Sequence, residues 1–90
     1  MTVVNVNGSS RWPAPSGYAS WLDYWKAYKG DVHYCSAYGC MGTDLVGAHV
    51  RKYNSIDQHV YIVPLCRSCN KRTDAFEVPA NLLLPVPSNL

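Results

Sequence analysis

The 90-residue sequence lacks the features that would place it in a membrane or a secretory pathway. It has no apolar run near the roughly 18 residues that a membrane span requires. The N-terminal stretch MTVVNVNGSS has neither the basic region nor the apolar region of a signal peptide. We therefore expect a cytoplasmic protein with no membrane partner, in a reducing compartment where cysteines more often hold a metal than form disulfides.

Charge is also scarce. Charged residues make up 16% of the chain and the formal net charge is +2, which is too small to indicate nucleic-acid binding by itself. Aromatic residues are plentiful, with seven tyrosines and three tryptophans, and they favour a folded chain over a disordered one. A single domain of this length buries only about 60–65% of its extended surface, so a metal or covalent cross-link would add needed stability.

The first third of the chain predicts an extended segment and then one helix. Residues 1–18 are expected to be extended, with a short strand at the valines near the start. A helix is predicted over residues 19–30, because Ser20 and Asp23 fit a capping box and Gly30 fits the position after the last turn. Four aromatic residues share one helical face and are expected to be buried: Trp21, Tyr24, Trp25 and Tyr28.

The rest of the chain predicts a hairpin, a second short helix and a tail. Residues 45–53 and 59–63 have strand composition, and residues 54–57 between them have turn chemistry. A short helix is expected from residue 68 to about residue 76. Residues 77–90 contain three prolines and predict an extended tail that lies over the core.

Four cysteines carry the strongest chemical signal. They are spaced as Cys35-x4-Cys40 and Cys66-x2-Cys69, which is typical of a structural zinc site because zinc prefers four thiolate ligands in a tetrahedron. Two disulfides in any of three connectivities, or a redox role for the second pair, are the alternatives to zinc. His33, two residues before the first cysteine, is a further candidate ligand.

Two stretches resemble the HNH family of treble-clef nucleases. They are residues 47–50, GAHV, and residues 61–71, YIVPLCRSCNK. The resemblance covers residues 35–76 and implies a ββα-metal core with zinc on the four cysteines. The fold class that we expect is therefore α+β, with a small zinc-stabilised treble-clef core and an extra N-terminal aromatic helix on a single domain.

The resemblance also implies catalytic roles. His49 matches the general base of the family, and Asn70 matches a ligand for the catalytic Mg²⁺ or Mn²⁺. Ala48 stands where the family has an Asp or His metal ligand, and Tyr61 stands where it has an asparagine that orients the base. Because a hard cation needs charged oxygen ligands, these departures predict a loss of catalysis unless another carboxylate, from Asp44 or Asp74, reaches the site; the catalytic ion is expected only if activity survives.

Basic residues cluster around the same motif. Five of them lie within one short stretch, opposed there only by Asp57, and they are candidates for contact with the phosphate backbone of DNA or RNA: Arg51, Lys52, Arg67, Lys71 and Arg72. A solvated rim that contacts no ligand is the alternative.

Three functions follow from these patterns. We favour a zinc-binding HNH-like domain that is catalytically inactive and contacts nucleic acid or another protein. The first alternative is an active metal-dependent endonuclease that uses His49 as its base. The second is a zinc-stabilised structural or protein-interaction module. The oligomeric state stays open.

Overall fold

A computed structural model of the chain describes residues 1–6 and 12–87. Within these residues the protein is a small α+β structure with one α-helix and one antiparallel sheet of five strands. The elements are β1 (Thr2–Asn5), α1 (Trp21–Lys29), β2 (Leu45–Lys52), β3 (Tyr61–Cys66), β4 (Phe76–Glu77) and β5 (Leu84–Pro85). The strands lie side by side in the order β4-β1-β2-β3-β5. Among the described residues, no helix has the length and apolar character of a membrane span.

The predicted hairpin is confirmed as the centre of the sheet. Strands β2 and β3 pair from Leu45 opposite Cys66 to Val50 opposite Tyr61. The second strand was predicted to begin at residue 59, but β3 begins at Tyr61 and His59 lies in the loop before it. The reason is that its backbone N–H donates to a side-chain oxygen of Asp57 at 2.9 Å and so is not available to the strand ladder.

Helix α1 agrees with its sequence signals. The Ser20 hydroxyl accepts a hydrogen bond from the Asp23 backbone N–H at 3.1 Å, which caps the first turn. Gly30 ends the helix with a φ of 93°, a conformation that glycine adopts without strain, and its N–H donates to the Lys26 carbonyl at 2.9 Å. The local signals therefore fix both ends of this helix.

The aromatic stripe of α1 is buried over three of its four positions. Trp21, Tyr24 and Trp25 are buried, whereas Tyr28 is 61% exposed. The prediction for Tyr28 is wrong: this residue lies in the last turn of α1, where its exposed ring packs against the ring of Tyr24 at a centroid distance of 4.9 Å.

The sheet separates two clusters of buried residues. Val3, Val50, Val63 and Leu65 pack with three of the four cysteines in one cluster, and Ile62 packs with the buried aromatic residues of α1 in the other. The helix approaches β2 closely at Gly47, where a Cβ atom would lie 2.5 Å from the Leu22 backbone nitrogen. Glycine at this position therefore sets how α1 sits on the sheet.

The predicted helix from residue 68 to about residue 76 is wrong. Only one 3-10 turn forms there, over Cys69–Lys71, and Arg72 already has extended backbone with φ −64° and ψ 141°. Phe76 then pairs with Val3 as part of β4. A long-range strand pairing thus takes the residues that local propensity had assigned to a helix.

The N-terminal segment and the tail both add strands to the sheet. Strand β1 ends at Asn5, one residue before the last valine of the predicted strand, and β5 pairs with β3 at the other side. The predicted extended segments over residues 1–18 and 77–90 include residues 7–11 and 88–90, which lie outside the described residues.

Candidate functional site

The four cysteines converge on one point. Their Sγ atoms all lie within 4.8 Å of one another, and those of Cys40 and Cys66 are 3.7 Å apart. In a tetrahedron with zinc–sulfur bonds of about 2.3 Å, neighbouring sulfurs lie about 3.8 Å apart. All four residues are free thiols, and the donor set and spacing fit a metal ion such as zinc. The exposed His33 is not a member of this group.

Backbone hydrogen bonds shape the two cysteine loops, of which the first runs from Cys35 to Gly42 and the second from Cys66 to Cys69. In the second loop the Cys69 N–H donates to the Cys66 Sγ at 3.4 Å. In the first, the Cys35 N–H donates to the Gly42 carbonyl at 2.8 Å and the Cys40 N–H donates to the Ala37 carbonyl at 3.0 Å. These bonds turn the sulfurs of both loops toward the same interior point.

The thiols differ in their surroundings. Burial raises the pKa of Cys35, and it raises the pKa of Cys69 to about 12. The half-buried Cys40 has a lowered pKa, first because of a hydrogen bond from the Gly42 backbone and then because of the neighbouring thiols. Buried sulfurs that resist ionisation need a cation among them to become thiolates, and a divalent metal supplies that charge.

A cleft of about 670 Å³ opens beside the cysteine cluster, between the start of α1, strand β2 and the 3-10 turn. It gathers five of the residues that the sequence singled out. Side chains of both predicted catalytic positions line it, together with three of the five basic residues: His49, Asn70, Arg67, Lys71 and Arg72. Arg51 and Lys52 instead line a separate depression of about 460 Å³ along the β2–β3 loop.

His49 is enclosed by aromatic rings. Its imidazole meets the rings of Trp12 and Trp21 edge-on at centroid distances of 4.8 and 4.7 Å, and the residue is only 4% exposed. Burial lowers the pKa of His49 to about 4, so the ring is neutral at pH 7. Its Nε2 atom is buried and has no hydrogen-bond partner within residues 1–6 and 12–87.

The acidic residues stand apart from this cleft. Among the described residues that line it, none is Asp or Glu. Asp74 instead pairs with Arg72 through two bonds of 2.9 and 2.6 Å, and the exposed Asp44 does not line the cleft. The hydroxyl of Tyr61 donates to Asp57 at 2.6 Å, at the far end of the hairpin.

The basic residues differ in how far they are already paired. Arg72 is held by Asp74 and stacks over the Phe76 ring at 4.8 Å, and Lys52 pairs with Asp57 at 3.1 Å. Arg67 and Lys71 are exposed and make no ion pair with any residue in the described part of the chain. These two side chains therefore supply the free positive charge of the cleft.

One residue of this region had no sequence signal. The side-chain amide of Asn5, from β1, donates to the carbonyls of Cys69 and Arg72, each at 2.9 Å. The contacts span 64 and 67 positions of sequence, so only the fold brings these groups together.

No family model, curated protein or solved structure matches this chain. A proposal about its function therefore depends on the geometry of the cysteine cluster and of the cleft.

Proposed function

We propose that this chain is a zinc-binding, HNH-like module that binds the phosphate backbone of nucleic acid without efficient cleavage. The observation that carries the proposal is the cleft beside the four thiols. It combines the two residues that match the family motif, His49 and Asn70, with the basic side chains of Arg67, Lys71 and Arg72.

Zinc is the metal that suits the thiol cluster best. Four sulfur ligands are soft, and the 3.7 Å separation of two of them fits the edge of a tetrahedron. The two cysteine loops flank the β2–β3 hairpin, an order that supports a treble-clef-like core, although one 3-10 turn stands where that fold has its final helix. Zinc binding would contribute folding free energy on the order of 10 kcal/mol.

Charge in the cleft supports contact with phosphate. Arg67 and Lys71 are exposed and free of ion pairs within the described residues, so no internal bond has to break before they meet an anion. Each phosphate that such a side chain neutralises gives a salt dependence with a slope of about −0.9 in log K against log salt on duplex DNA. Two or three contacts give weak binding that is sensitive to salt.

The donor set of the cleft argues against fast cleavage. A hard divalent cation binds best to charged oxygens, and the lining side chains offer only neutral amide, hydroxyl and imidazole groups beside the basic ones. Without that ion the pentavalent phosphate and the leaving oxygen lack charge stabilisation. His49 also presents a buried Nε2, which an attacking water reaches only after the surrounding rings move.

An active endonuclease is the second candidate, and one observation favours it. His49 and Asn70, which match the base and a metal ligand of the family motif, line the same cleft. Metal-dependent nicking of plasmid DNA that disappears in His49→Ala would establish this function over the first.

A protein-interaction module is the third candidate. Three large apolar side chains are exposed on or beside the first cysteine loop, at Tyr34, Tyr38 and Met41. Absence of any nucleic-acid binding at low salt would favour it.

The test measures fluorescence anisotropy of labelled single-stranded DNA, duplex DNA and RNA with the zinc-loaded protein over a series of salt concentrations. We expect the double variant Arg67→Ala/Lys71→Ala to weaken binding and to reduce the salt slope by about 2. The matched control is Lys26→Ala/Lys29→Ala, which removes the same charge from exposed positions on α1 that do not line the cleft. Equal weakening by both doubles would overturn the assignment of the cleft.

A further inference from the structure

The side chain of Asn5 joins the first strand to both ends of the 3-10 turn. Its Nδ2 group donates to the Cys69 carbonyl, where the turn begins, and to the Arg72 carbonyl, just after the turn ends. The same turn carries the last cysteine of the metal cluster and Asn70 of the cleft. One amide group therefore contacts a segment that belongs to both sites.

The orientation of this amide is fixed by its partners. A carbonyl oxygen only accepts hydrogen bonds, so the NH₂ group of Asn5 has to face Cys69 and Arg72. The Oδ1 atom is then buried and has no partner within residues 1–6 and 12–87. An acceptor left unsatisfied in this way is unfavourable, so the side chain contributes through its two donors.

We infer that Asn5 is the positioning residue that couples the metal site to the cleft. Its two hydrogen bonds hold the turn at a fixed distance from β1, and this fixes the direction in which Cys69 offers its sulfur and Asn70 its amide. The coupling to metal rests on the proposed zinc site, whereas the hold on the turn does not.

Asn5 acts on the metal from outside the coordination shell. The Cys69 carbonyl already accepts from the Arg72 N–H at 3.1 Å, and the Asn5 amide adds a second bond to it. Partners of this kind orient metal ligands, and their loss typically weakens metal binding about 10- to 100-fold. No other side chain in the described part of the chain is seen to donate to either carbonyl.

The test compares zinc release to a chelator and backbone amide exchange in three variants of the full chain. Asn5→Ala removes both donors. Asn5→Asp keeps the size and the acceptors of the side chain but removes the donors, and it places a carboxylate against two carbonyls. We expect zinc release at least about 10-fold faster in both, and an intermediate rate in Asn5→Ser, which keeps one shorter donor.

Two controls separate positioning from general stability. Asn81→Ala removes an exposed asparagine from a separate 3-10 turn, Ala80–Leu82. Val3→Ala weakens the core from the same strand as Asn5 but removes no hydrogen bond to the Cys69–Lys71 turn. The amides of Lys71 and Arg72, which donate within that turn, are expected to exchange faster in the Asn5 variants than in Val3→Ala compared at equal stability.

Two results would overturn the inference: a release rate and turn protection in Asn5→Ala that match those of Val3→Ala, or recovery of wild-type behaviour by Asn5→Asp. If the wild-type chain binds no zinc, the proposed function fails. The exchange of the Lys71 and Arg72 amides in the metal-free protein still decides the role of Asn5.

Discussion

The Sγ atoms of Cys40 and Cys66 lie 3.7 Å apart, although the two residues are 26 positions apart in the sequence. That separation is close to the edge of a zinc–thiolate tetrahedron, about 3.8 Å. The first cysteine loop and the end of β3 are therefore already placed as a shared ion requires, and the stability of the chain should depend on that ion.

Loss of one thiol should remove most of the stability that zinc contributes. Cys66→Ser replaces a buried thiol of the proposed zinc site with a hydroxyl that binds zinc poorly, so we expect a loss of several kcal/mol in the free energy of unfolding and no further effect of a chelator. Urea unfolding with and without the chelator measures both. Ser36→Ala, in the first loop, is the control, because its buried Oγ has no partner in the described residues and its removal should leave stability within about 1 kcal/mol. Equal stability of Cys66→Ser and wild type would contradict a zinc-dependent fold.

Gly47→Ala should push α1 away from the sheet. The added Cβ would lie 2.5 Å from the Leu22 nitrogen and 2.6 Å from the Trp21 carbonyl carbon, and backbone atoms cannot swing aside as a flexible side chain can. We expect destabilisation of about 1–3 kcal/mol, with shifted NMR signals at Trp21 and His49. Gly17→Ala, where nothing lies within 4 Å but φ is 91°, should cost about 1 kcal/mol and leave those signals unchanged. Unchanged signals in Gly47→Ala would show that the helix does not rest on this glycine.

His49 should make the protein less stable in acid. Its folded pKa of about 4 lies below the ordinary value of 6.5, so the unfolded state binds an extra proton between these values. Its contribution to stability is complete above pH 6.5 and is lost as the pH falls toward 4, which amounts to about 2.5 kcal/mol between pH 7 and about pH 4.5. His49→Phe keeps a ring between Trp12 and Trp21 and should lose this part of the pH dependence.

Urea unfolding at the two pH values measures the effect. His59→Asn removes an exposed imidazole and serves as the control, because zinc loss in acid affects every variant alike. A pH dependence in His49→Phe equal to that of the wild type would mean that the histidine is not buried as described.

Asp57 should keep the β2–β3 loop ordered. It accepts hydrogen bonds from the Tyr61 hydroxyl at 2.6 Å and the His59 N–H at 2.9 Å, and it pairs with Lys52 at 3.1 Å. These partners, the Tyr61 hydroxyl first, hold the pKa of the carboxyl well below its usual range, so the contacts persist as the pH falls below 4. Asp57→Ala should speed amide exchange at His59 without changing zinc content. The control Asp31→Ala, at an exposed position, should leave both the amide exchange at His59 and the zinc content unchanged. Unchanged protection of the His59 amide in Asp57→Ala would refute the role of the carboxylate.

Local signals explain what the sequence predicted well. The Ser20 cap and Gly30 define α1 within a single segment, and the turn residues between two strand-like runs define the hairpin. The spacing of the cysteines predicts which four thiols the structure brings together. Each of these features depends on residues close in sequence or on one chemical constraint, so none requires knowledge of the sheet.

Long-range pairing explains what the sequence did not predict. The helix expected from residue 68 to about residue 76 does not form, because Phe76 pairs with Val3 and because the Asn5 amide donates to the carbonyls at the two ends of the 3-10 turn. The five basic residues lie close together in the sequence, but the hairpin carries Arg51 and Lys52 to a different depression. Closeness in sequence therefore does not reveal which surface depression a side chain lines once the sheet forms.

Titration of the reduced, metal-free protein with Co²⁺ tests the four-thiol site most directly, because cobalt reports both the number and the kind of its ligands. We predict saturation at one ion per chain, a thiolate-to-cobalt charge-transfer band, the visible spectrum of a tetrahedral sulfur site, and bleaching of both by one equivalent of Zn²⁺. A titration that gives no charge-transfer band, or the spectrum of a six-coordinate ion, would contradict the metal centre on which the account depends.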